Sequence, residues 1–262
     1  KRSIVLTSAT LAVAGSFAPL RDRLSLEAIE EMMLGSPFNY PEAALLCIPQ
    51  DMPEPNNRDY ATTLAQTIVA LTRAADGHTL ALFTSHAALR ATAEVSRAAL
   101  EGDDIRVLAQ GVDGAPRALM EDFLSNPRSL LLGTSSFWEG VDLAGDALTV
   151  LILARLPFDV PSDPVFSARS EVYEEPFRDY AVPQAILRFR QGFGRLIRSG
   201  TDRGVVAVLD RRLSARSYGS LFLRSLPDCT VKQPKLHELP NIIKTWLSIR
   251  PDKPVDHTNA RD

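Results

Sequence analysis

Cysteine is scarce in this chain of 262 residues. Cys47 and Cys229 are the only two, they lie far apart, and their spacing fits neither a disulfide framework nor a metal knuckle. No group of His, Cys, Asp or Glu carries metal-ligand spacing, which excludes a zinc-type centre built from local sequence. No apolar run reaches the length of a membrane span, so no membrane partner is expected. No signal peptide is legible: the chain opens Lys1-Arg2-Ser3 and moves straight into Ile4-Val5-Leu6. It has no initiator Met, so it reads as a piece of a longer protein, and a cytoplasmic setting is expected. The few lysines never follow a Gly-x-x-x-x-Gly run, so the loop that cradles nucleotide phosphates is missing. Positive charge is not in excess either. A net charge of −3 argues against a generic electrostatic grip on nucleic acid, and confines any such contact to a local groove.

Composition is otherwise that of a globular protein, with 45% hydrophobic and 23% charged residues. Short runs rich in Val, Ile and Leu read as buried strands. They are Ser3–Leu6, Ala44–Ile48, Thr79–Phe83, Ile105–Ala109, Ser129–Leu132, Leu148–Leu153 and Val205–Leu209. Helical patterns fall between them at Leu24–Met33, Asp59–Ala75, Ala87–Leu100, Arg117–Leu124, Val182–Ile197 and Ala215–Leu226. Strand alternating with helix predicts an α/β fold with a mainly parallel sheet covered on both faces. Proline-rich Ile48–Asn57 reads as an extended crossing, and Leu156–Pro176 as a loop holding a short helix. Residues from about Arg250 read as a frayed tail.

One helix stands out. At 100° per residue, Arg188, Gln191, Arg195 and Arg198 share one face, within an arc of roughly 80°. Ile186, Phe189, Phe193, Leu196 and Ile197 take the other. A file of guanidinium groups on an apolar seat suits a polyanion, because the planar fork bonds phosphate oxygens two at a time. The plain alternative is a solvated face with surface ion pairs. Ligands of open α/β sheets bind at the carboxyl ends of strands. There the predicted strands are followed by Thr7-Ser8-Ala9-Thr10, by Thr84-Ser85-His86, by Gly133-Thr134-Ser135-Ser136 and by Asp210-Arg211-Arg212. Small hydroxyls at such turns are phosphate contacts or simple helix caps. His86 reads as a helix-start residue, Trp138 as core or as a base-stacking platform, and Phe158 and Phe166 as packing residues.

In order along the chain, these segments resemble the carboxyl-terminal motifs of superfamily 2 helicases. VLTSATL (Val5–Leu11) resembles motif III, LFTSHAALR (Leu82–Arg90) motif IV, GTSSFWEGVDLAG (Gly133–Gly145) motif V and QGFGRLIRSGTDRG (Gln191–Gly204) motif VI. SPFNY (Ser36–Tyr40), ARLPFDVPSDP (Ala154–Pro164) and LDRRL (Leu209–Leu213) are similar to the DinG family of the DinG/XPD group. The resemblance covers about residues 3 to 230. It implies a three-layer RecA-like domain at 16–250, preceded at 1–15 by the end of a first motor domain and followed at 251–262 by a flexible tail.

The roles it implies are specific. Arg195 and Arg198 would reach the γ-phosphate of ATP as arginine fingers, with Gln191 at the same cleft. Glu139, Gly140, Asp142 and Gly194 would line the nucleotide side. Glu139 and Asp142 read equally as acids that orient the motif VI arginines. Thr84, Ser85, Thr134, Ser135 and Arg188 would contact single-stranded DNA, and Thr7, Ser8 and Thr10 would couple the two lobes. No Asp-Glu-Ala-His box and no four-cysteine set is present. ATP and Mg²⁺ would therefore be shared with an amino-terminal motor domain, which is also where any iron–sulfur cluster would lie. The resemblance implies a 5′ to 3′ ATP-dependent DNA helicase, inert as this chain alone. A non-catalytic binding or scaffolding module and an RNA-directed relative are the alternatives.

Overall fold

A computed structural model describes residues 4–8, 11–27, 29–138 and 147–249, with the backbone alone for Ser135 and Trp138. Seven strands form one all-parallel sheet. They are β1 (Ala44–Cys47), β2 (Thr79–Leu82), β3 (Arg106–Ala109), β4 (Ser129–Gly133), β5 (Val150–Leu153), β6 (Gly204–Val208) and β7 (Thr230–Lys232), in the order β3-β4-β2-β5-β6-β1-β7. In chain order the helices are α1 (Ala18–Leu24), α2 (Tyr40–Ala43), α3 (Tyr60–Ala74), α4 (His86–Leu100), α5 (Pro116–Ser125), α6 (Ser135–Trp138), α7 (Pro164–Ser170), α8 (Val182–Phe193), α9 (Arg212–Ala215), α10 (Gly219–Arg224) and α11 (Leu239–Ser248).

The period of two along each strand divides the core. Leu46, Leu80, Leu82, Leu151, Leu153, Val206 and Val208 point to one face, where Phe123 of α5, Phe137 of α6, Ile186, Phe189 and Phe193 of α8 and Phe222 of α10 cover them. Leu45, Cys47, Ala81, Val150, Ile152, Val205 and Ala207 point to the other, under Leu64 and Ile68 of α3, Leu89 of α4 and Ile243 of α11. Both faces are covered, so the strands need no polar side, and this is why they read as continuous apolar runs. The predicted α/β class, parallel sheet and three layers are those observed.

Four expectations need correction. Ile4–Leu6, the described part of the buried strand predicted at Ser3–Leu6, pairs with no strand of this sheet; Ile4 and Val5 are 88% and 82% exposed. An apolar strand is buried only where other elements pack on it, and none of the described elements covers Ile4 or Val5. The helix predicted at Leu24–Met33 instead ends at Leu24, because Ser25 adopts the left-handed conformation (φ 51°) and its N–H closes back on the carbonyls of Arg21 and Asp22. The single helix predicted at Ala215–Leu226 is two, α9 and α10, because Arg216 turns extended between them. Finally, the helix predicted to run to Ile197 stops at Phe193.

Helix α8 also begins unusually. A π turn at Phe177–Ala181 runs directly into it, and the Val182 N–H reaches the carbonyl of Phe177, five residues back. Pro183 follows at once. Proline has no N–H to give and its ring crowds the carbonyl four residues earlier, so a widened turn is the way a continuous helix accepts it. Strand β7 and helix α11 were not among the expected elements, although Leu239 and Ile243 of α11 recur at helical spacing, with Pro240 in the first turn. α11 is latched to the sheet by Arg203, whose guanidinium lies 4.1 Å from the Trp246 ring centroid and donates through Nε to the Trp246 carbonyl.

Candidate nucleotide and nucleic-acid sites

The parallel sheet puts all carboxyl strand ends along one edge. β2 and β4 are neighbours, with Leu82 opposite Gly133, so the turns after them lie side by side. The first turn presents Thr84, Ser85 and His86, all exposed. Ser85 is the N-cap of α4: its hydroxyl accepts the Ala88 N–H at 3.4 Å, so the capping role expected of such a residue is real. The second turn holds Thr134, only 4% exposed. Its N–H donates to Gln110 Oε1 at 2.7 Å, its hydroxyl donates to the same oxygen at 3.0 Å, and His86 Nε2 lies 3.3 Å from that hydroxyl. Gly133 just before it has no alternative. A Cβ there would sit 2.6 Å from the Phe137 ring, which plugs the core beneath the turn.

Gln110 was missed by sequence reasoning. It is the first residue beyond β3, the strand next to β4, but it carries no hydroxyl and belongs to no quoted motif. Asp210, named among the strand-end residues, was given no role of its own. It is fully buried after β6, accepts the Leu156 N–H at 2.9 Å through Oδ2, and takes both arms of the Arg212 fork, at 2.9 and 2.6 Å. The guanidinium fork raises its own affinity for the proton through that pairing against the desolvation that opposes it. The pair fastens the loop after β5 to the end of β6. Next to it Tyr60 donates its hydroxyl to the carbonyl of Ala154, and burial pushes that phenol up to about 12.

The arginine segment lies elsewhere. After Phe193 the chain tightens: Gly194 N–H bonds to Arg190 O at 2.9 Å, Arg195 N–H to Gly192 O at 3.1 Å, and Leu196 N–H to Phe193 O at 3.2 Å. Leu196 then drops against Gly204, where a Cβ would meet its Cδ1 at 2.5 Å. Gly204 opens β6, so this turn sits at the amino-terminal edge of the sheet, opposite the Thr84 and Thr134 turns. The expected outward file of four is therefore not built. Arg188, on α8, is paired with Asp159, and Arg195 is 8% exposed rather than turned to solvent. The apolar half of the expectation is right: Ile186, Phe189, Phe193, Leu196 and Ile197 are all buried.

Asp202 clamps the far end of the turn, accepting the N–H groups of Arg198 (2.8 Å) and Ser199 (2.9 Å) and the Ser199 hydroxyl (2.6 Å). Burial lowers the Arg198 pKa while Asp202 opposes that shift, and a guanidinium stays charged regardless. Gln191 has a buried Oε1 with no hydrogen-bond partner among the described residues, a costly state for an amide oxygen. Beside it a cavity of about 370 Å³ is lined by Arg23, Asp159, Arg169, Arg188 and Gln191. Arg190, which no expectation named, donates to the Ala12 carbonyl and ties α8 to the segment before α1.

Glu139, Gly140, Asp142 and Thr10 lie outside the described residues, as do 251–262. Thr7 and Ser8 are exposed. Phe158 packs edge-on to Phe222 and Tyr218, and Phe166 against Tyr180, as packing residues do. Among the described residues no group of three His, Cys, Asp or Glu could hold a metal ion, and no helix is long and apolar enough to cross a membrane.

A family model for the helicase C-terminal domain matches residues 68–229, which takes in β2 through α10 and both edges just described. The chain belongs to the helicase C-terminal domain family. It is 42% identical over 228 residues to the ATP-dependent DNA helicase YoaA of Haemophilus influenzae, covering 86% of this chain and 35% of that one. It is 39% identical over 243 residues to the 3′-5′ exonuclease DinG of Bacillus subtilis, with 89% and 26% covered. It is also 39% identical over 236 residues to the ATP-dependent helicase DinG of Mycobacterium tuberculosis, with 87% and 35% covered. It thus spans about a third or less of the curated relatives it matches. Solved helicases share the fold of this helicase C-terminal domain. An XPD helicase superposes with a TM-score of 0.54 at 17% identity, over 73% of this chain and 35% of the other. Saccharomyces cerevisiae Dbp5 bound to RNA and ADP BeF3 gives 0.54 at 13% identity, over 89% and 54%.

Proposed function

We propose that this chain is the second motor lobe of a DinG-type ATP-dependent DNA helicase, and that its two sheet edges divide the work. The observation that carries the reading is at the amino edge. There a nearly buried guanidinium, Arg195, follows the end of α8 by two residues with Arg198 three residues on, and Gln191 in the last turn of α8 carries a buried Oε1 that has no partner among the described residues. Such a constellation suits a polyphosphate and its attacking water, so the residues present fit ATP. Arg195 and Arg198 would hold its terminal phosphate, Gln191 would orient water, and Gly194 would let the backbone approach; Glu139, Gly140 and Asp142 would complete the nucleotide side. ATP supplies the phosphoryl transfer that drives the cycle. Mg²⁺ and the phosphate cradle belong to the first lobe, since this chain has no loop to hold them.

At the carboxyl edge the turns that hold Thr84, Ser85, Thr134 and Ser135 take the backbone of single-stranded DNA, and Thr7, Ser8 and Thr10 couple the lobes. Closure on ATP and opening after hydrolysis would move the strand 5′ to 3′. Arg188, held by Asp159, would join the strand contacts only by exchanging that partner.

The test is Arg195→Ala in the intact helicase, beside this chain alone. Removing an arginine finger costs on the order of 10³-fold or more in turnover. Strand-stimulated ATPase is expected to fall by that factor while binding of a labelled oligothymidine stays within about threefold, as expected for a residue away from the strand edge. This chain alone is expected to show no strand-stimulated turnover. Wild-type turnover in Arg195→Ala would overturn the assignment.

A further inference from the structure

Gln110 does something that neither its position in the sequence nor its neighbours announce. Its carboxamide has two ends, and both are spent on one turn. Oε1 accepts the Thr134 N–H at 2.7 Å and the Thr134 hydroxyl at 3.0 Å, and Nε2 donates to Ser136 Oγ at 2.8 Å. The amide orientation follows from these partners: a backbone N–H can only meet the oxygen, which leaves the nitrogen for Ser136. The side chain starts from a fixed point. The Gln110 N–H continues the β3–β4 ladder onto Leu132 O at 3.0 Å. One residue earlier Asp113 Oδ2 accepts the Ala109 N–H at 2.7 Å, and the same carboxylate pairs with Arg97 of α4. The amide is therefore presented from a braced strand end, not from a wandering loop.

Proton counting then decides what Thr134 can do. A threonine hydroxyl has one proton, and here it goes to Gln110. What remains is acceptor capacity, which meets His86 Nε2, 3.3 Å away, when that ring nitrogen carries the proton. A hydroxyl that has spent its proton inward, on a residue 4% exposed, has none to give to a phosphate oxygen. Ser136 differs. It is exposed, it accepts from Gln110, and its own proton is left to donate outward.

We propose that Gln110 is a positioning residue for the strand-binding edge: it locks Thr134 inward as a structural post and sets Ser136 as the hydroxyl that meets a phosphodiester of single-stranded nucleic acid. This rests on the assignment of the carboxyl edge to the strand, and it changes which residue of the β4–α6 turn makes contact.

The experiment compares Gln110→Met, Ser136→Ala and Thr84→Ala in the intact helicase. Binding of labelled oligothymidine and the strand dependence of ATPase are measured for each, with hydrogen exchange at the Thr134 amide. Gln110→Met is similar in length but leaves the Thr134 N–H without an acceptor, so strand affinity is expected to fall about tenfold, the scale of one buried group left unsatisfied. The half-saturating strand concentration should rise by more than turnover at saturating strand falls, and the Thr134 amide should exchange faster than in the parent. Ser136→Ala should weaken the strand about threefold with Thr134 exchange unchanged, the loss of one exposed contact. Should Gln110→Met fail to fold, Ser136→Ala carries the decision, because an exposed side chain is removed. Parental strand affinity in Ser136→Ala or in a folded Gln110→Met, with Thr84→Ala weakened, overturns the inference and leaves the edge assignment standing. Parental affinity in all three overturns both.

Discussion

The two edges of the sheet solve opposite problems. At the carboxyl ends of β2 and β4, neutral groups are satisfied by one another: Gln110 completes Thr134, Ser85 caps α4, and the exposed hydroxyls stand on a network that is already closed, while farther along that edge the buried Asp210 is closed in the same way by Arg212. At the amino edge, charge is drawn inward and one acceptor is left over. Arg195 is 8% exposed and Gln191 Oε1 has no partner among the described residues. A satisfied, exposed edge suits a ligand gripped weakly and passed along. An under-satisfied, buried edge suits a ligand that must be met at one point in a cycle, because the cost of the open site is recovered only when the partner arrives.

Each edge depends on a glycine that admits a large side chain, and that gives a way to break one without the other. The larger effect belongs to Gly204→Ala. The added Cβ would lie 2.5 Å from Leu196 Cδ1 and 2.7 Å from the Thr149 carbonyl oxygen, neither of which can retreat far inside the core. Overpacking of this kind costs about 1–3 kcal/mol, seen as a lower denaturation midpoint. Leu196 adjoins Arg195, so the turn moves with it. A displacement of about 1 Å at a catalytic group is worth roughly 10² in rate. ATPase in the intact helicase should drop by about that factor while oligothymidine affinity holds. Equal losses in both would mean that the edges are not separable.

How much of this was legible in the sequence follows the same division. The strands were legible because both faces of the sheet are buried, so Leu80, Leu82, Leu151 and Leu153 alternate with other apolar residues and leave a run that no surface helix would carry. The Thr84 and Thr134 turns were legible because a parallel sheet delivers its strand ends to one edge. The arginine turn was half legible. Its apolar positions bury as a helix would bury them, yet the helix stops at Phe193 with Gly194 as its C-cap, and hydrophobic periodicity alone does not report that stop. Gln110 was not legible as a site-builder, since it acts through a partner 24 residues away in sequence, and Asp210 was legible as a strand-end residue beside Arg212 but not as the acceptor for the Leu156 N–H, 54 residues away. β7 is three residues at an exposed edge, too short for a pattern to show.

The complementary substitution is Gly133→Ala. Its Cβ would meet the Phe137 ring at 2.6 Å, and pushing that fully buried ring disturbs the turn that Gln110 holds. Stability should fall by about 1–3 kcal/mol in a denaturant titration. Here the ordering of functional losses should reverse: strand affinity falls more than turnover at saturating strand. The same ordering as in Gly204→Ala would erase the distinction between the edges.

The finest cut separates capping from contact at Ser85. Ser85→Ala removes the acceptor for the Ala88 N–H and should cost about 0.5–1 kcal/mol of stability. Ser85→Asp restores the cap, and its charge favours a helix amino terminus, so stability should match or exceed the parent. The same carboxylate is repelled by phosphates within about a Debye length, near 10 Å at 0.1 M salt. If strand passes this turn, Ser85→Asp is the variant that folds well and binds poorly, by about three- to tenfold at low salt and less as salt rises. If Ser85→Asp binds oligothymidine like the parent at low salt, Ser85 is a helix cap and no more, and the strand path shifts toward Ser136 and His86.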